Sequence, residues 1–319
     1  AQVADGDWRV ILGNGVDSTG GGAHLITIGI SSGAITTADS GSTGGGNGMS
    51  SVLARDTNGD GFADTAYAGD LKGNLWKFSG ISGTATVVKM YSARDPSNVA
   101  QPITAAPLVG RDPQTGTVWV FFGTGQYLGT GDVSSTQVQS WYGIKDNAIV
   151  GSVGRTDLVV RTATAGVTIG DFPTRLVSAG VASDLVGKQG WYIDLPISKE
   201  RIVAPNRFQG GALIGTSRIP DSTDVCAPGG SGYIMAINPF TGGRLEQTFF
   251  DTNRDGVFND ADKSNGTPVT GIGMSSMPNA PIFIENVALV SLTDGRTESV
   301  RTQGSSVDAS RMSWREIMN

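Results

Sequence analysis

The chain has 319 residues but only one cysteine, Cys226, and one histidine, His24. A lone cysteine excludes a disulfide framework within the chain. It also excludes zinc centres built from several Cys or His ligands, and leaves no material for a Cys–His–Asn catalytic apparatus. Cys226 reads as a small residue in a Gly/Pro-rich loop, or as half of a pair whose partner lies outside this chain. His24 reads as an ordinary strand residue rather than a ligand.

Basic charge is also short, with 23 Lys and Arg against 29 Asp and Glu and a net charge of −6. Such a chain repels a nucleic-acid duplex more than it attracts one, so nucleic acid is not an expected partner. No apolar run is long enough to span a bilayer and no secretory leader is visible. The chain opens abruptly in AQVADGDWRV and reads as one domain, 1–319, that is the C-terminal domain or a fragment of a larger protein. Helical periodicity is scarce. Its best candidate, Ser183 to Lys188, is short enough to be a turn.

Glycine is what the chain has in abundance, 47 residues, with 38% hydrophobic content, enough for a large core. Short strands joined by Gly-rich turns produce that balance. Strand signals run through WRVIL from Trp8, AHLITIGI from Ala23, SSVLA, TAYAG, NLWKF and TATVVKMY. They continue through ITAAPLV from Ile103, TVWVFFG, SWYGIKD, RLVSAG, GWYIDLP, ERIV, GALIGTS, GYIMAI, PIFIE and VALVSL. The pieces ITIGISSG, LWKFSGISG, WYGIKDNA and IMAINPFTGG recur roughly every 45–65 residues, a period that signals a β-propeller. The expected fold is therefore all-β with under about 15% helix against the usual third. It is a modified propeller of about six to seven four-stranded blades, incomplete at the N-terminus as written. The six tryptophans fall in strand patterns, so blade packing is their expected role. A stacking platform for a sugar or quinone is the alternative.

Two stretches have the spacing of calcium loops. Asp56 opens D-x-N-x-D-G-x-x-D. Asp56, Asn58 and Asp60 place side-chain oxygens on alternate residues, Gly61 permits the turn, Phe62 offers a carbonyl and Asp64 adds a carboxylate. A hard divalent cation needs six to eight oxygens, and a turning loop with alternate ligands supplies them. The loop lies between two strand signals, so it reads as a metal-pinned β-turn. Asp251 opens a full twelve-residue loop, DTNRDGVFNDAD. Asp251, Asn253 and Asp255 take the first ligand positions, Val257 gives a carbonyl, Asn259 acts through water and Asp262 closes. The competing reading of either loop is a metal-free Asn/Asp/Gly turn. In the unit after the first loop, RDPQTG occupies the equivalent place.

At these residues the chain resembles the PilY-type type IV pilus biogenesis and tip proteins, in their C-terminal domain. The pieces that carry the resemblance are WRVILGNG, DTNGDGFADTAYAGDLKGNLWKF, QPITAAPLVG, FFGTGQYLG, GGSGYIMAINPFTG, DTNRDGVFNDAD and the closing SWREI. The resemblance implies a modified propeller with bound calcium, located extracytoplasmically at the pilus tip, cell surface or outer membrane. It implies roles in pilus assembly, extension and retraction, twitching motility and adhesion, with minor pilins of the tip complex and a host or surface ligand as partners. The family's calcium ligands carry over onto Asp56, Asn58, Asp60, Phe62 and Asp64. The family's large N-terminal region is missing here, no Arg-Gly-Asp is present, and a companion to Cys226 is not in the chain. Gly41 to Gly48 and Asp221 to Gly230 are the candidate pilin-docking loops.

No nucleophile–base pattern is recognisable, so a non-enzymatic role is expected. Two other readings use a propeller differently. A quinoprotein dehydrogenase also takes calcium and has repeats like AINPFTGGRL, but often pairs adjacent cysteines. A glycan-binding or hydrolytic propeller needs convergent carboxylates in a pocket.

Overall fold

The computed structural model describes residues 1–147, 153–221 and 229–304. Strands make up 46% of the described residues, and no α-helix occurs among them. No helix among them is long and apolar enough to cross a membrane. The one helical candidate is a 3-10 turn, Ala182–Leu185.

Among the described residues the strands form five sheets of three or more strands. The first joins Arg9–Gly13, His24–Gly29 and Ile35–Asp39. The second is an antiparallel meander of Met49–Arg55, Thr65–Asp70, Asn74–Ser79 and Thr86–Ser92. The third orders Leu158–Arg161, Gly190–Asp194, Ser140–Lys145, Val118–Gly123 and Leu108–Arg111, with its first pair parallel. The fourth has six strands: Ala163–Ala165, Thr174–Val177, Gly271–Met274, Gly229–Ile237, Ala212–Asp221 and Arg207–Gln209. The fifth joins Ile282–Ile284, Val287–Ser291 and Thr297–Arg301. A two-stranded ribbon, Lys263–Ser264 with Thr267–Pro268, stands beside them.

Alternation along each strand stacks these sheets in series. Successive residues of a strand point to opposite faces, so a strand buried on both sides feeds two interfaces. In the second sheet Ala66, Ala68, Trp76 and Phe78 pack toward the first sheet's Leu25, while Tyr67 and Leu75 pack toward the third sheet. In the third sheet Val120, Phe122, Tyr142 and Ile144 face back to the second, and Phe121, Trp141, Trp191 and Ile193 face forward. In the fourth, Leu213, Met235 and Ile237 meet those tryptophans, while Ile214, Ile234 and Ile272 meet Val290 and Val300 of the fifth. Four apolar interfaces thus join five sheets face to face. This is the blade-on-blade packing that the repeat signals, because no sheet could bury both faces alone.

Among the described residues the sheets number five, not the expected six to seven of four strands, and they carry three, four, five, six and three. The unit expected around RLVSAG and GWYIDLP builds no sheet of its own. Gly190–Asp194 inserts into the third sheet, and Thr174–Val177 pairs with Gly271–Met274 in the fourth. ITAAPLV is a strand only from Leu108, since Pro102 and Pro107 lack the N–H a ladder needs. ERIV supplies only the isolated bridge between Arg201 and Arg218. Trp76, Trp119, Trp141 and Trp191 are buried as expected, but Trp8 is 56% exposed. It lies beside the first strand, opposite the covered face. Trp314, Cys226 and the closing SWREI lie outside the described residues.

Candidate functional site

The stretch from Met49 to Ser92 shows how one blade is fixed by its polar residues. At the far end of the Thr65–Asp70 strand, the buried Asp70 carboxylate accepts from the amides of Lys72 (2.9 Å) and Asn74 (2.8 Å) and from Trp76 Nε1 (2.9 Å). Gly73 in that turn has φ +78° and its backbone sits against Gln101 O, where a Cβ would come within 2.6 Å. AGDLKGNLW is therefore a hairpin closed by its own aspartate. At the near end lies the first acidic loop.

That loop folds around two carboxylates. Asp56 accepts from Gly59 N on Oδ1 (2.6 Å) and from Gly61 N on Oδ2 (2.8 Å). These amides hold its carboxyl below the usual carboxylate range, against a small opposing effect of burial. Asp64 accepts from Thr57 Oγ1 (2.6 Å), Thr57 N (3.1 Å) and Asn58 N (3.2 Å). Burial pushes its carboxyl up, but the Thr57 and Thr65 hydroxyls and the two amides outweigh that and lower it. Asn58 Nδ2 donates to Asp60 Oδ2, and Asn58 Oδ1 accepts from Asp60 N. Asp60 Oδ1 accepts from Phe62 N at 2.8 Å. Gly59 and Gly61 take φ of +84° and +92°, backbone that glycine adopts freely. The loop links Met49–Arg55 to Thr65–Asp70, as the sequence places it. RDPQTG holds the corresponding turn between Leu108–Arg111 and Val118–Gly123, closed by Asp112 onto Gln114 N and Thr115 Oγ1.

The second loop repeats this wiring almost bond for bond. Gly256 N donates to Asp251 Oδ2 (2.9 Å), Asp255 N to Asn253 Oδ1 (3.1 Å), Asn253 Nδ2 to Asp255 Oδ2 (2.8 Å) and Val257 N to Asp255 Oδ1 (2.8 Å). Asp262 Oδ1 accepts from Thr252 N (2.7 Å), Thr252 Oγ1 (3.0 Å) and Asn253 N (3.3 Å), as Asp64 does in the first loop. Asp262 Oδ2 also accepts from Asn259 N, and Asn259 Oδ1 caps the short 3-10 turn Asp260–Asp262 through Ala261 N. Asp64 and Asp262 therefore do the same work at different spacings, the 3-10 turn accounting for the extra residues.

Sequence reasoning missed Thr57 and Thr252, whose hydroxyls and amides tie each loop to its closing aspartate. Their signal is the shared D-T-N. The two loops do not come together into one site. Each offers only hard oxygen donors, the chemistry that calcium requires. Among the described residues no three acidic, histidine or cysteine side chains converge as a metal cluster, so asparagine and main-chain oxygens would have to complete either shell.

Of the proposed docking loops, Gly41 to Gly48 is tied down. Lys72 Nζ donates to Thr43 O and Gly44 O, and the buried Asn47 accepts from Lys72 N. Residues 222–228 of the other lie outside the described residues. His24 sits on a strand of the first sheet with Nδ1 3.3 Å from Asp39 Oδ1.

Comparison with known proteins places this geometry in context. A family profile described as the PilY1 beta-propeller domain matches residues 1–88 and 86–169. A type IV pilus biogenesis factor PilY1 homolog from Xylella fastidiosa is 42% identical over 100% of this chain and 26% of its own length. The type IV pilus biogenesis factor PilY1 of Pseudomonas aeruginosa strain PAO1 is 33% identical over 81% of this chain and 26% of its own. This chain thus spans about a quarter of the length of these relatives. The crystal structure of the Pseudomonas aeruginosa PilY1 C-terminal domain superposes with a TM-score of 0.79 and 27% identity. It matches 95% of this chain and 71% of that domain.

Proposed function

The chain belongs to the PilY1 beta-propeller family, and on that premise we propose that it is a non-enzymatic, calcium-binding module of a type IV pilus. In this reading it works outside the cytoplasm, at the pilus tip or cell surface, docks with minor pilins and contributes to extension and retraction, twitching and adhesion. The observation that carries the calcium part is the loop from Asp56 to Asp64. Its oxygens are arrayed by backbone amides around a tight turn at the edge of a blade. Asp56, Asn58, Asp60, the Phe62 carbonyl and Asp64 would hold the ion. Calcium would neutralise three acidic side chains crowded into nine residues and hold the two strands in register. A non-enzymatic role is favoured by the sequence, whose single histidine and single cysteine leave no recognisable nucleophile–base pattern.

The test is Asp60→Ala introduced into the full-length protein in a piliated cell. Twitching should fall while the amount of exported protein stays near wild type, and copurification of minor pilins should become insensitive to calcium. Wild-type twitching, with pilin copurification that responds to chelator as before, would contradict the reading.

A further inference from the structure

We infer that the loop from Asp251 to Asp262 is a second, independent divalent-cation site for calcium, and that its ion clamps the fifth sheet to the fourth. This goes beyond the pilus reading and does not depend on it.

Asp251 is 2% exposed, and its Oδ1 has no hydrogen-bond partner. A buried carboxylate oxygen without a partner is costly, because it has given up water and gained nothing in exchange. The first loop shows what is missing. There the Gly59 amide donates to Asp56 Oδ1. Arg254 takes the place of Gly59, with φ +61°, and no such bond forms to Asp251 Oδ1. Every other bond of the first loop's frame has its counterpart here. The second loop is thus the first with one acceptor freed, on the carboxylate that occupies the first ligand position. The cations beside it are engaged elsewhere: Arg254 pairs with Glu298 (3.1 Å) and Lys263 with Asp260 (2.6 Å).

The ligand set around that oxygen is hard and all oxygen: Asp251 Oδ1, Asn253, Asp255 and the Val257 carbonyl. Asp262 is fully buried and holds the loop's amides, so it braces the shell. Such a set suits calcium better than magnesium, which demands a small regular octahedron and gives up water reluctantly.

Its position gives the ion a role. The loop leaves the buried pair Phe249 and Phe250, which are tied to the end of the fifth sheet. Asp251 N donates to Arg301 O (3.0 Å), and Gln303 N donates to Phe249 O (2.7 Å). Toward the fourth sheet, the Arg254 guanidinium lies over the Phe172 ring at 4.8 Å, and Gly170 packs against Thr252 O. Phe172 and Phe250 both belong to the apolar layer between the two sheets.

Equilibrium dialysis against calcium with metal analysis of the protein reads out the stoichiometry. Wild type should hold two calcium ions per chain, Asp251→Asn one, Asp60→Ala one, and the double variant none. Asp251→Asn keeps the shape of the side chain. If it fails to fold by circular dichroism, Asp255→Asn at the exposed rim serves instead and should lower second-site affinity at least tenfold. One ion in wild type that Asp60→Ala abolishes and the second-loop variants leave untouched would overturn the inference while sparing the first loop. One ion lost only in the second-loop variants would support it and contradict the first-loop reading. No bound calcium would overturn both.

Discussion

The two acidic loops share a frame and differ in setting. In each, an Asp accepts the amide of a glycine five residues on, an Asn and an Asp lock each other, and a Thr is tied to a closing aspartate. The first loop is a turn within one sheet, with Asn58 to Gly61 in solvent. The second lies across two sheets, with Asp251, Thr252 and Asp262 buried. Wiring that differs by a single bond in two environments teaches that the D-T-N-x-D-G frame is self-contained. What surrounds it decides how much of the fold depends on it. A turn in solvent governs its own strand pair, whereas a turn in an interface governs how two blades meet.

The closing aspartates separate the two settings most strongly. Asp262→Ala strips partners from buried amides and the Thr252 hydroxyl, and should cost about 3–5 kcal/mol. Asp64→Ala, in the more exposed loop, should cost about 1–2 kcal/mol. Chemical denaturation of both variants checks the ratio; equal losses would erase the distinction between the settings. Calcium comes next. With a dissociation constant of about 10⁻⁴ M, as extracellular loops of this kind show, roughly 10 mM calcium would add about 2.7 kcal/mol for each occupied site. Wild type melted with calcium and with chelator should differ by several degrees. About half of that gap should vanish in Asp60→Ala and about half in Asp251→Asn.

Smaller changes sharpen the contrast. Gly61→Ala and Gly256→Ala both force alanine into left-handed backbone, at about 1–2 kcal/mol each. At Gly61 the added methyl meets open space, whereas at Gly256 it comes within 3.3 Å of Arg301 Nη1, so the second variant should be the less stable in a thermal melt. The smallest effect belongs to Arg254→Ala. Its exposed pair with Glu298 is worth about 0–1 kcal/mol. Removing a positive charge from the loop should tighten second-site calcium slightly, measured by calorimetric titration.

Much of this was legible in the sequence because alternation and turn chemistry are local. TAYAG and NLWKF already read as two consecutive strands, and the D-L-K-G between them is the turn that the Asp70 carboxylate closes. The sheet to which a strand belongs was not legible. Nothing near Gly190–Asp194 says that it enters the third sheet beside a parallel neighbour, because that choice is made by partners distant in sequence. Ile35–Asp39 and Thr297–Arg301 were missed because their exposed, Thr- and charge-bearing residues give weak strand signals. In the loops, spacing named the ligand candidates but not the bonds that hold each turn. Asp262 reads as a twelfth ligand, yet it holds the bonds that Asp64 holds at the ninth. The burial of Asp251 comes from the packing of two sheets, which spacing cannot report.

Hydrogen exchange of the full chain, measured with calcium and with chelator, separates the two loops. Two separate regions of calcium-dependent protection are expected. One covers residues 56–64 and stays within the adjoining strand pair. The other covers residues 251–262 and extends to the amides of Asp251 and Gln303 at the end of the fifth sheet. Protection that appears at the first region alone, or uniformly along the chain, would contradict that expectation.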